Sequence, residues 1–487
     1  MKLYGPPAKL LNAFLIGALL LTAEISHAAA EPAAPTLLPI PAAKLTEINV
    51  PGTSPMVAAS VDLAAAGYTE REFYAEGTAH RYRGVLPGTV KTGQIIDSNW
   101  PYRTRVLVRA PKPEKFNGFL VVEWANVTTG QDVDFAFAES YRYLLREGYA
   151  VAVVSVQRVG VDRLKTWSPT RYGNLSVEAD ITDPQGGARI DDCGFPIGCP
   201  GDPLSWDIMT EVSKALKDNV GDTAPLPGLN VKHVIALGQS QSALRLAWYY
   251  NAIQPLYKFF DGFVFLDLAS QLRPDIATPA VSVNTQATAD MLPPMTTSEY
   301  TRIWAVAGAS HTSLESIKYV DALALRDKSF PGPNGPMSFT DVIGQQNCKL
   351  SPLFSTVNTG YVLDAAFDSV RQWIQTGKAA APTRAFERNA AGKIVRDADG
   401  NARGGIRLAQ FVVPTAFLSP NGDQLGCLLS GHHRDFTKAD LKKRYGSHKA
   451  YVSQVRAVTK QVMDNGYILP QDAAATVQAA ENSDVAR

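Results

Sequence analysis

The sequence lacks an excess of charge of either sign. It has 47 Lys and Arg residues against 46 Asp and Glu residues, which gives a formal net charge of +1. Binding to nucleic acid or to an anionic membrane surface depends on a basic patch, and the chain has no long run of Lys and Arg that would provide one. We therefore expect no nucleic-acid partner and no attachment to a membrane through surface charge.

Cysteine is scarce, and its four positions lack the paired Cys-x-x-Cys units typical of zinc sites. An even number of cysteines in an exported chain favours disulfides. Cys193 and Cys199 lie close together in a Gly/Pro-rich loop and can close a small ring, which would leave Cys348 to pair with Cys427. Four cysteines permit three pairings, so the sequence leaves the connectivity open. We expect disulfides and no metal ion.

The chain also lacks the glycine-rich loops that bind nucleotide phosphates, so we expect no cofactor. The segment 397–401 starts like a calcium-binding loop, but the glycine and the closing glutamate that such a loop requires are missing. An Asp-Gly pair in an alternating sequence is more typical of a hairpin turn.

A long apolar run is present at one place, the N-terminus. Two lysines precede an apolar stretch over 10–23, and small residues follow up to Ala30. This layout is typical of a secretory signal peptide over 1–30, cleaved between Ala28 and Glu31. The alternative is a membrane anchor, but the run is short for a bilayer span, and no later segment is long and apolar enough to cross one. We expect a periplasmic or secreted protein without a membrane span after cleavage.

Strands and helices alternate through the middle of the sequence. The predicted strands are 105–109, 118–124, 149–156, 231–237, 260–266, 280–285 and 301–309, and the predicted helices are 134–146, 203–217, 241–252, 362–375 and 438–466. Such alternation predicts an α/β fold with a mostly parallel sheet and helices on both faces. We expect a linker and β-rich extension over 31–115, an α/β core with loop insertions over 116–377, and a C-terminal region of hairpins and helices over 378–487.

A candidate nucleophile stands at the junction of the strand 231–237 and the helix after it. The run Gly238-Gln239-Ser240-Gln241-Ser242 places small residues two positions before and two positions after Ser240. A sharp strand-to-helix turn needs small neighbours and leaves the serine oxygen exposed at the carboxyl end of the sheet. The alternative is an ordinary serine cap at a helix N-terminus. The strand–serine–helix order favours a nucleophile.

A nucleophilic serine needs a histidine to accept its proton and a carboxylate to orient that histidine. His311 follows the strand 301–309 on a loop, which is where such a base belongs, whereas His432 and His433 lie in a polar segment and are interpreted as surface or structural residues. Asp290, on the loop after the strand 280–285, is our predicted acid. Asp267, after the preceding strand, is the alternative.

Backbone N–H groups would stabilise the negative oxygen that forms when the serine attacks a carbonyl. The N–H of Gln241 belongs to the first turn of a helix, directly after the serine. A second donor is expected on the loop after the strand 118–124, at Asn126 or Val127. The alternative for either residue is a simple turn.

The chain resembles a bacterial family of α/β-hydrolase-domain proteins. The resemblance rests on the motifs VEWANVT (122–128), GQSQS (238–242), VAGASH (306–311) and DGNARGGIR (399–407) and covers most of the mature chain. It implies the α/β-hydrolase fold and the hydrolysis of carboxylic esters, without a particular substrate. Such proteins have a Thr-Glu-Thr-Asp type of acidic loop before the histidine, and here Gln286 stands near the position of the glutamate.

Together these observations predict a serine esterase. It would form an acyl-enzyme on Ser240, with His311 as general base and a small-molecule ester as substrate. A non-catalytic binding protein on a hydrolase scaffold is one alternative, and an acyltransferase or amidase of the same fold is the other. The oligomeric state stays open.

Overall fold

The computed structural model describes residues 37–487 except 87, 89, 192–200, 220–223, 347, 399 and 422–426. The predicted signal peptide and the predicted Cys193–Cys199 ring lie outside the described residues. The chain divides into two compact units, and each is described by itself. Among the described residues, the first comprises 37–136, 144–263 and 269–278, and the second comprises 137–143, 264–268 and 279–487.

The first unit is built on a mixed sheet with the strand order β1-β2-β3-β5-β4-β6-β7. Strands β1 to β3 are antiparallel, β3 pairs antiparallel with β5, and β4 lies parallel between β5 and β6. The strands are β1 (Lys44–Glu47), β2 (Tyr68–Arg83), β3 (Gln94–Pro111), β4 (Phe119–Trp124), β5 (Ala150–Val154), β6 (His233–Gln239) and β7 (Gly262–Leu266), of which β7 contributes residues to both units.

The parallel strands of this unit are apolar along their whole length because both of their faces are covered. All residues of β4 and β5 are buried, and β6 is buried after its first residue. The helices are α1 (Phe135–Arg146), α2 (Arg158–Trp167), α3 (Pro169–Tyr172), α4 (Ser205–Asp218), α5 (Gln241–Trp248) and α6 (Gln254–Tyr257), with a 3-10 turn at Pro113–Lys115 and a π-helical turn at Tyr249–Ile253. The central part of α1 belongs to the second unit.

The second unit contains the strand order β7-β8-β9, in which β8 (Ala280–Thr285) and β9 (Thr301–Val306) are parallel. Two antiparallel ribbons accompany it, β10 (Phe330–Gly332) with β11 (Gly335–Met337) and β12 (Ala416–Ser419) with β13 (His432–Asp435). Its helices are α7 (Gln286–Met291), α8 (Leu314–Asp327), α9 (Phe339–Gln346), α10 (Gly360–Thr376), α11 (Ala409–Val412), α12 (Lys438–Tyr445), α13 (His448–Asp464) and α14 (Pro470–Asn482).

The α/β class and the parallel strands are confirmed, while several details differ from the sequence-based expectation. The helix predicted over 438–466 is broken at Gly446, which has a φ of +71°. The helix predicted over 241–252 ends at Trp248 and passes into the π-helical turn. The disulfide between Cys348 and Cys427 is present. The predicted boundaries at residues 115 and 377 stay a prediction.

Within the described part of the chain, no helix combines the length and the apolar character needed to cross a lipid bilayer.

Helix α4 carries two acidic side chains into the interior of the first unit. Asp207 accepts hydrogen bonds from Tyr82 (2.6 Å) and from the His80 backbone N–H (2.7 Å). One oxygen of Glu211 accepts a bond from Tyr102 (2.7 Å), while the other has no hydrogen-bond partner among the described residues. Glu211 is 2% exposed. Burial, with a further contribution from the charge of Asp207, raises the pKa of Glu211 to about 8, against the opposing effect of the Tyr102 bond.

This raised pKa predicts a pH-dependent stability. Between about pH 4.5 and 8 the folded chain keeps a proton on Glu211 that the unfolded chain loses, so the free energy of unfolding falls as the pH rises through that window. Glu211→Gln keeps the neutral form at every pH. We expect it to raise the free energy of unfolding by about 1–3 kcal/mol at pH 8.5 and by little at pH 5, measured by urea titration. The exposed Glu114→Gln is the matched control; an equal gain in both variants would contradict the assignment.

Candidate active site

Ser240 occupies the turn between β6 and α5 with a backbone that few side chains adopt. Its φ is +56° and its ψ is −118°. A non-glycine residue in such a conformation costs about 1–3 kcal/mol and persists where the surrounding structure enforces it. The backbone of an ordinary N-cap has a negative φ and its side chain bonds to the helix, whereas the Ser240 side chain makes no capping bond to α5. The geometry is that of a strained turn, as predicted, rather than of a helix cap.

Gly238 makes this turn sterically possible. A Cβ atom at that position would lie 2.8 Å from the carbonyl oxygen of Ser242 and 3.0 Å from the amide nitrogen of Ala243. Both are backbone atoms and cannot swing away, so position 238 excludes every larger residue. The sequence indicated that this position requires a small residue. The reason is that the backbone on the two sides of the turn comes into direct contact here.

Ser242 stands where the common form of this motif has glycine, and its hydroxyl closes the turn. The Oγ atom accepts a hydrogen bond from the backbone N–H of Gln239 (2.9 Å) and donates one to the carbonyl oxygen of the same residue (2.9 Å). Ser242 is fully buried. These two bonds commit its hydroxyl to the backbone, so the two serines of the motif have different roles.

The loop after β4 lies beside this turn and requires one correction. The backbone N–H of Asn126 donates to the carbonyl oxygen of Val133 (3.0 Å), so it is not an oxyanion donor as predicted. Its side-chain Nδ2 instead donates to the carbonyl oxygen of Gln239 (2.8 Å) and fixes the loop to the turn. The backbone N–H of Val127 points at Oε1 of Gln241, at 3.5 Å. A hydrogen bond of this length is weak, so the Val127 N–H can exchange it for another acceptor at little cost in free energy. Of the two residues, Val127 is therefore the better candidate for an oxyanion donor.

His311 lies in the second unit, on the loop after β9, and is paired with Asp267. Its Nδ1 is 2.9 Å from Oδ2 of Asp267. This contact has the distance of an ion pair, and Oδ2 accepts no hydrogen bond from the described residues. The same Nδ1 is also 2.9 Å from the hydroxyl oxygen of Thr288. His311 is 8% exposed and Asp267 is 1% exposed, so the pair is shielded from water.

The carboxylate of Asp267 is held from its other side by the start of α7. Oδ1 accepts two hydrogen bonds from Thr285, one from the backbone N–H and one from the hydroxyl, each of 2.7 Å. Asp267 itself has a φ of +59° at the end of β7. The carboxylate therefore cannot rotate freely, and Oδ2 stays directed toward the imidazole.

Asp290, our predicted acid, is bonded to residues other than His311. Its two carboxylate oxygens bond Arg396 at 3.0 and 2.9 Å, and one of them also accepts from Asn421 at 3.0 Å. Both bonds from Arg396 come from its Nη2 atom, and they tie Asp290 to a residue 106 positions later in the chain. Asp267, the alternative weighed from the sequence, is the carboxylate that lies beside His311.

The loop that carries His311 is braced by polar side chains. Gln286 accepts a hydrogen bond from the Gly308 backbone N–H (2.9 Å), and Ser355 donates to the carbonyl oxygen of Gly308 (2.6 Å). Beyond the histidine, Ser313 donates to the buried carboxylate of Glu139 (2.9 Å). Burial raises the pKa of Glu139 to about 7, and the charge of Asp267 adds to the rise.

Sequence reasoning missed Thr285 and Thr288, although a weak signal was present. Thr285 is the last residue of the buried strand β8, and it caps α7 by accepting a bond from the Thr288 backbone N–H. A threonine that ends a strand and starts a helix is a recognisable cap. That its hydroxyl also binds Asp267 depends on a contact across 18 positions, which the sequence does not reveal.

Among the residues that the structure describes, no three His, Cys, Asp or Glu side chains are grouped so that they could hold a metal ion.

Comparison with known proteins gives a family match over nearly the whole described chain. The family described as alpha/beta hydrolase domain matches residues 36–478. No curated protein matches the chain significantly in sequence.

Several solved structures resemble part of the chain at low identity. They include the rice cell wall degrading esterase LipA from Xanthomonas oryzae, which is 11% identical with a TM-score of 0.23 over 42% of this chain and 43% of that one. The esterase Est22 is 11% identical with a TM-score of 0.25 over 46% of this chain and 66% of that one. Pyrococcus horikoshii acylaminoacyl peptidase is 8% identical with a TM-score of 0.22 over 44% and 36%. This chain thus matches about half of the length of LipA, 43% in one structure and 51% in another.

Proposed function

Because this chain belongs to the alpha/beta hydrolase domain family, we propose that it is a serine hydrolase that cleaves carboxylic esters through an acyl-enzyme on Ser240. The observation that carries the proposal is the backbone of Ser240, whose φ of +56° is maintained by Gly238 and Ser242 at a strand-to-helix turn. A conformation that costs free energy, at a serine in this position, is typical of a functional site.

In the proposed first half-reaction, His311 accepts the proton of the Ser240 hydroxyl as the oxygen attacks the carbonyl carbon of the ester. The carbonyl oxygen becomes negative and is stabilised by the backbone N–H groups of Gln241 and Val127. The C–O bond to the alcohol then breaks, and the alcohol leaves with the proton that His311 returns. The acyl group remains on Ser240.

In the second half-reaction, His311 takes a proton from water and the resulting hydroxide attacks the acyl carbon. The acid is released and Ser240 regains its proton. Through both halves Asp267 stabilises the imidazolium and orients its ring, which is the role of the acid in such a triad. The support for this role is the separation of 2.9 Å between Oδ2 and Nδ1 and the two Thr285 bonds that hold the carboxylate.

We also propose that the chain is exported. The disulfide between Cys348 and Cys427 supports this proposal, because disulfides persist in oxidising compartments such as the periplasm and the extracellular space.

The first test is the replacement of Ser240. Ser240→Ala removes the nucleophile, so we expect kcat/KM for p-nitrophenyl acetate to fall at least about 10³-fold and labelling by a fluorophosphonate probe to disappear. Ser213→Ala is the matched control, since Ser213 is a buried serine of the same unit whose hydroxyl bonds a helix carbonyl. A Ser240→Ala protein with more than a tenth of the wild-type rate would contradict the proposal.

The second test separates the two aspartates. Asp267→Asn keeps the shape of the side chain but removes the charge that stabilises the imidazolium, so we expect kcat/KM for the same ester to fall about 10²–10⁴-fold. Asp290→Asn weakens a tie to Arg396 away from the histidine, and we expect a change of less than about threefold. The reverse order of the two variants would restore Asp290 as the acid.

A further inference from the structure

A chain of buried amide side chains leads away from the turn at Ser240 and has no part in the proposed proton transfers. Gln241 donates through Nε2 to Oε1 of Gln157 (2.9 Å), and Gln157 donates through Nε2 to Oδ2 of Asp202 (2.9 Å). The three side chains are at most 1% exposed. All of them belong to the first unit.

Trp124 determines which way the side-chain amides of Gln157 and Gln241 are oriented. An indole nitrogen can only donate, and Nε1 of Trp124 lies 3.0 Å from Gln157, which must therefore present its oxygen. The amide nitrogen of Gln157 then faces Asp202, a pure acceptor. Gln241 must in turn present its nitrogen to Gln157, which directs its own oxygen at the backbone N–H of Val127.

The Asp202 end of this row of hydrogen-bonded side chains is connected to helix α5. Arg245, one helical turn after Gln241, binds Oδ1 of Asp191 (2.5 Å), the carbonyl oxygen of Asp202 (3.3 Å) and the hydroxyl of Ser205 (2.9 Å). Residues four apart lie on the same face of a helix. Gln241 and Arg245 thus close a ring of buried polar contacts that starts and ends on the helix that follows Ser240.

We propose that Gln157 is a positioning residue of the esterase reaction, which holds the Gln241 side chain and through it the Val127 N–H in the orientation of an oxyanion donor. This inference rests on the proposed function. The bond from Val127 to Gln241 is 3.5 Å long, so the N–H is aligned without being held tightly. The Val127 N–H can exchange the Gln241 oxygen for a substrate oxygen that becomes negative. An anionic acceptor forms a stronger hydrogen bond than a neutral amide oxygen does.

The pH dependence of a variant provides a specific signature. In Gln157→Glu, the new carboxyl group lies against Asp202, and two carboxyl groups at hydrogen-bond distance in a dry site retain one proton between them. With that proton the variant reproduces the bonds of the native amide, and without it two like charges repel. Burial already raises the pKa of Asp202, with Arg245 opposing the rise. The other charged residues in contact with this group are Asp191, which pairs with Arg245, and Arg158, whose backbone N–H donates to Oδ1 of Asp202 (2.6 Å).

The experiment compares three variants of the full chain with p-nitrophenyl acetate as substrate. We expect Gln157→Leu to lower kcat about 10–100-fold at every pH and to change KM less than about threefold, because a donor that acts in the transition state affects kcat. We expect Gln157→Glu to keep most of the activity at pH 6 and to lose it by pH 8.5, where the wild type stays active. Gln254→Leu is the matched control, since Gln254 is equally buried in the same unit and bonds the Phe260 carbonyl.

The possible failures can be told apart. A Gln157→Leu protein with wild-type kcat, a Gln157→Glu protein with the wild-type pH profile, or an equal loss in Gln254→Leu would overturn the positioning role of Gln157 and leave the esterase proposal intact. A wild-type protein that neither hydrolyses the ester nor reacts with a fluorophosphonate probe would overturn both.

Discussion

The backbone of Ser240 passes through a conformation with positive φ at a point where a buried parallel strand must turn at once into a helix. This constraint determines the neighbouring residues. Gly238 has no Cβ because one would touch the backbone of Ser242, and the hydroxyl of Ser242 closes the turn by bonding both backbone groups of Gln239. Asn126 fixes the loop after β4 to the same residue. The strained backbone of Ser240 is thus held in place by contacts from Gly238, Ser242 and Asn126.

The carboxylate of Asp267 is held as firmly as the turn at Ser240. Asp267 is fixed by two bonds from Thr285, and its other oxygen lies against Nδ1 of His311. Thr288 offers that nitrogen a second oxygen at the same distance. Because the carboxylate and the hydroxyl both border one ring nitrogen, the orientation of the imidazole is determined from two sides and does not depend on a single bond.

Features that arise from local sequence could be predicted, and features that arise from distant contacts could not. The alternation of strands and helices predicted the α/β class, and the small residues around Ser240 predicted the turn. Both features depend on residues that are adjacent in the sequence. The two candidate acids could not be told apart from the sequence because Asp267 and Asp290 each follow a strand. What separates them is that Asp290 meets Arg396, 106 positions later. In the same way, the hydrogen bond from the Asn126 N–H to the carbonyl oxygen of Val133 depends on the folded loop and could not be predicted from the sequence.

The central claim is that Ser240 is the activated nucleophile, and the most direct measurement is the site of covalent modification. After reaction with diisopropyl fluorophosphate, trypsin should release the peptide 233–245, which contains both Ser240 and Ser242. Tandem mass spectrometry separates the two. We expect one phosphoryl group on Ser240, because both hydrogen bonds of the Ser242 hydroxyl are made to the backbone of Gln239. Modification at Ser242 or at another residue, or none under conditions that label a known serine esterase, would contradict it.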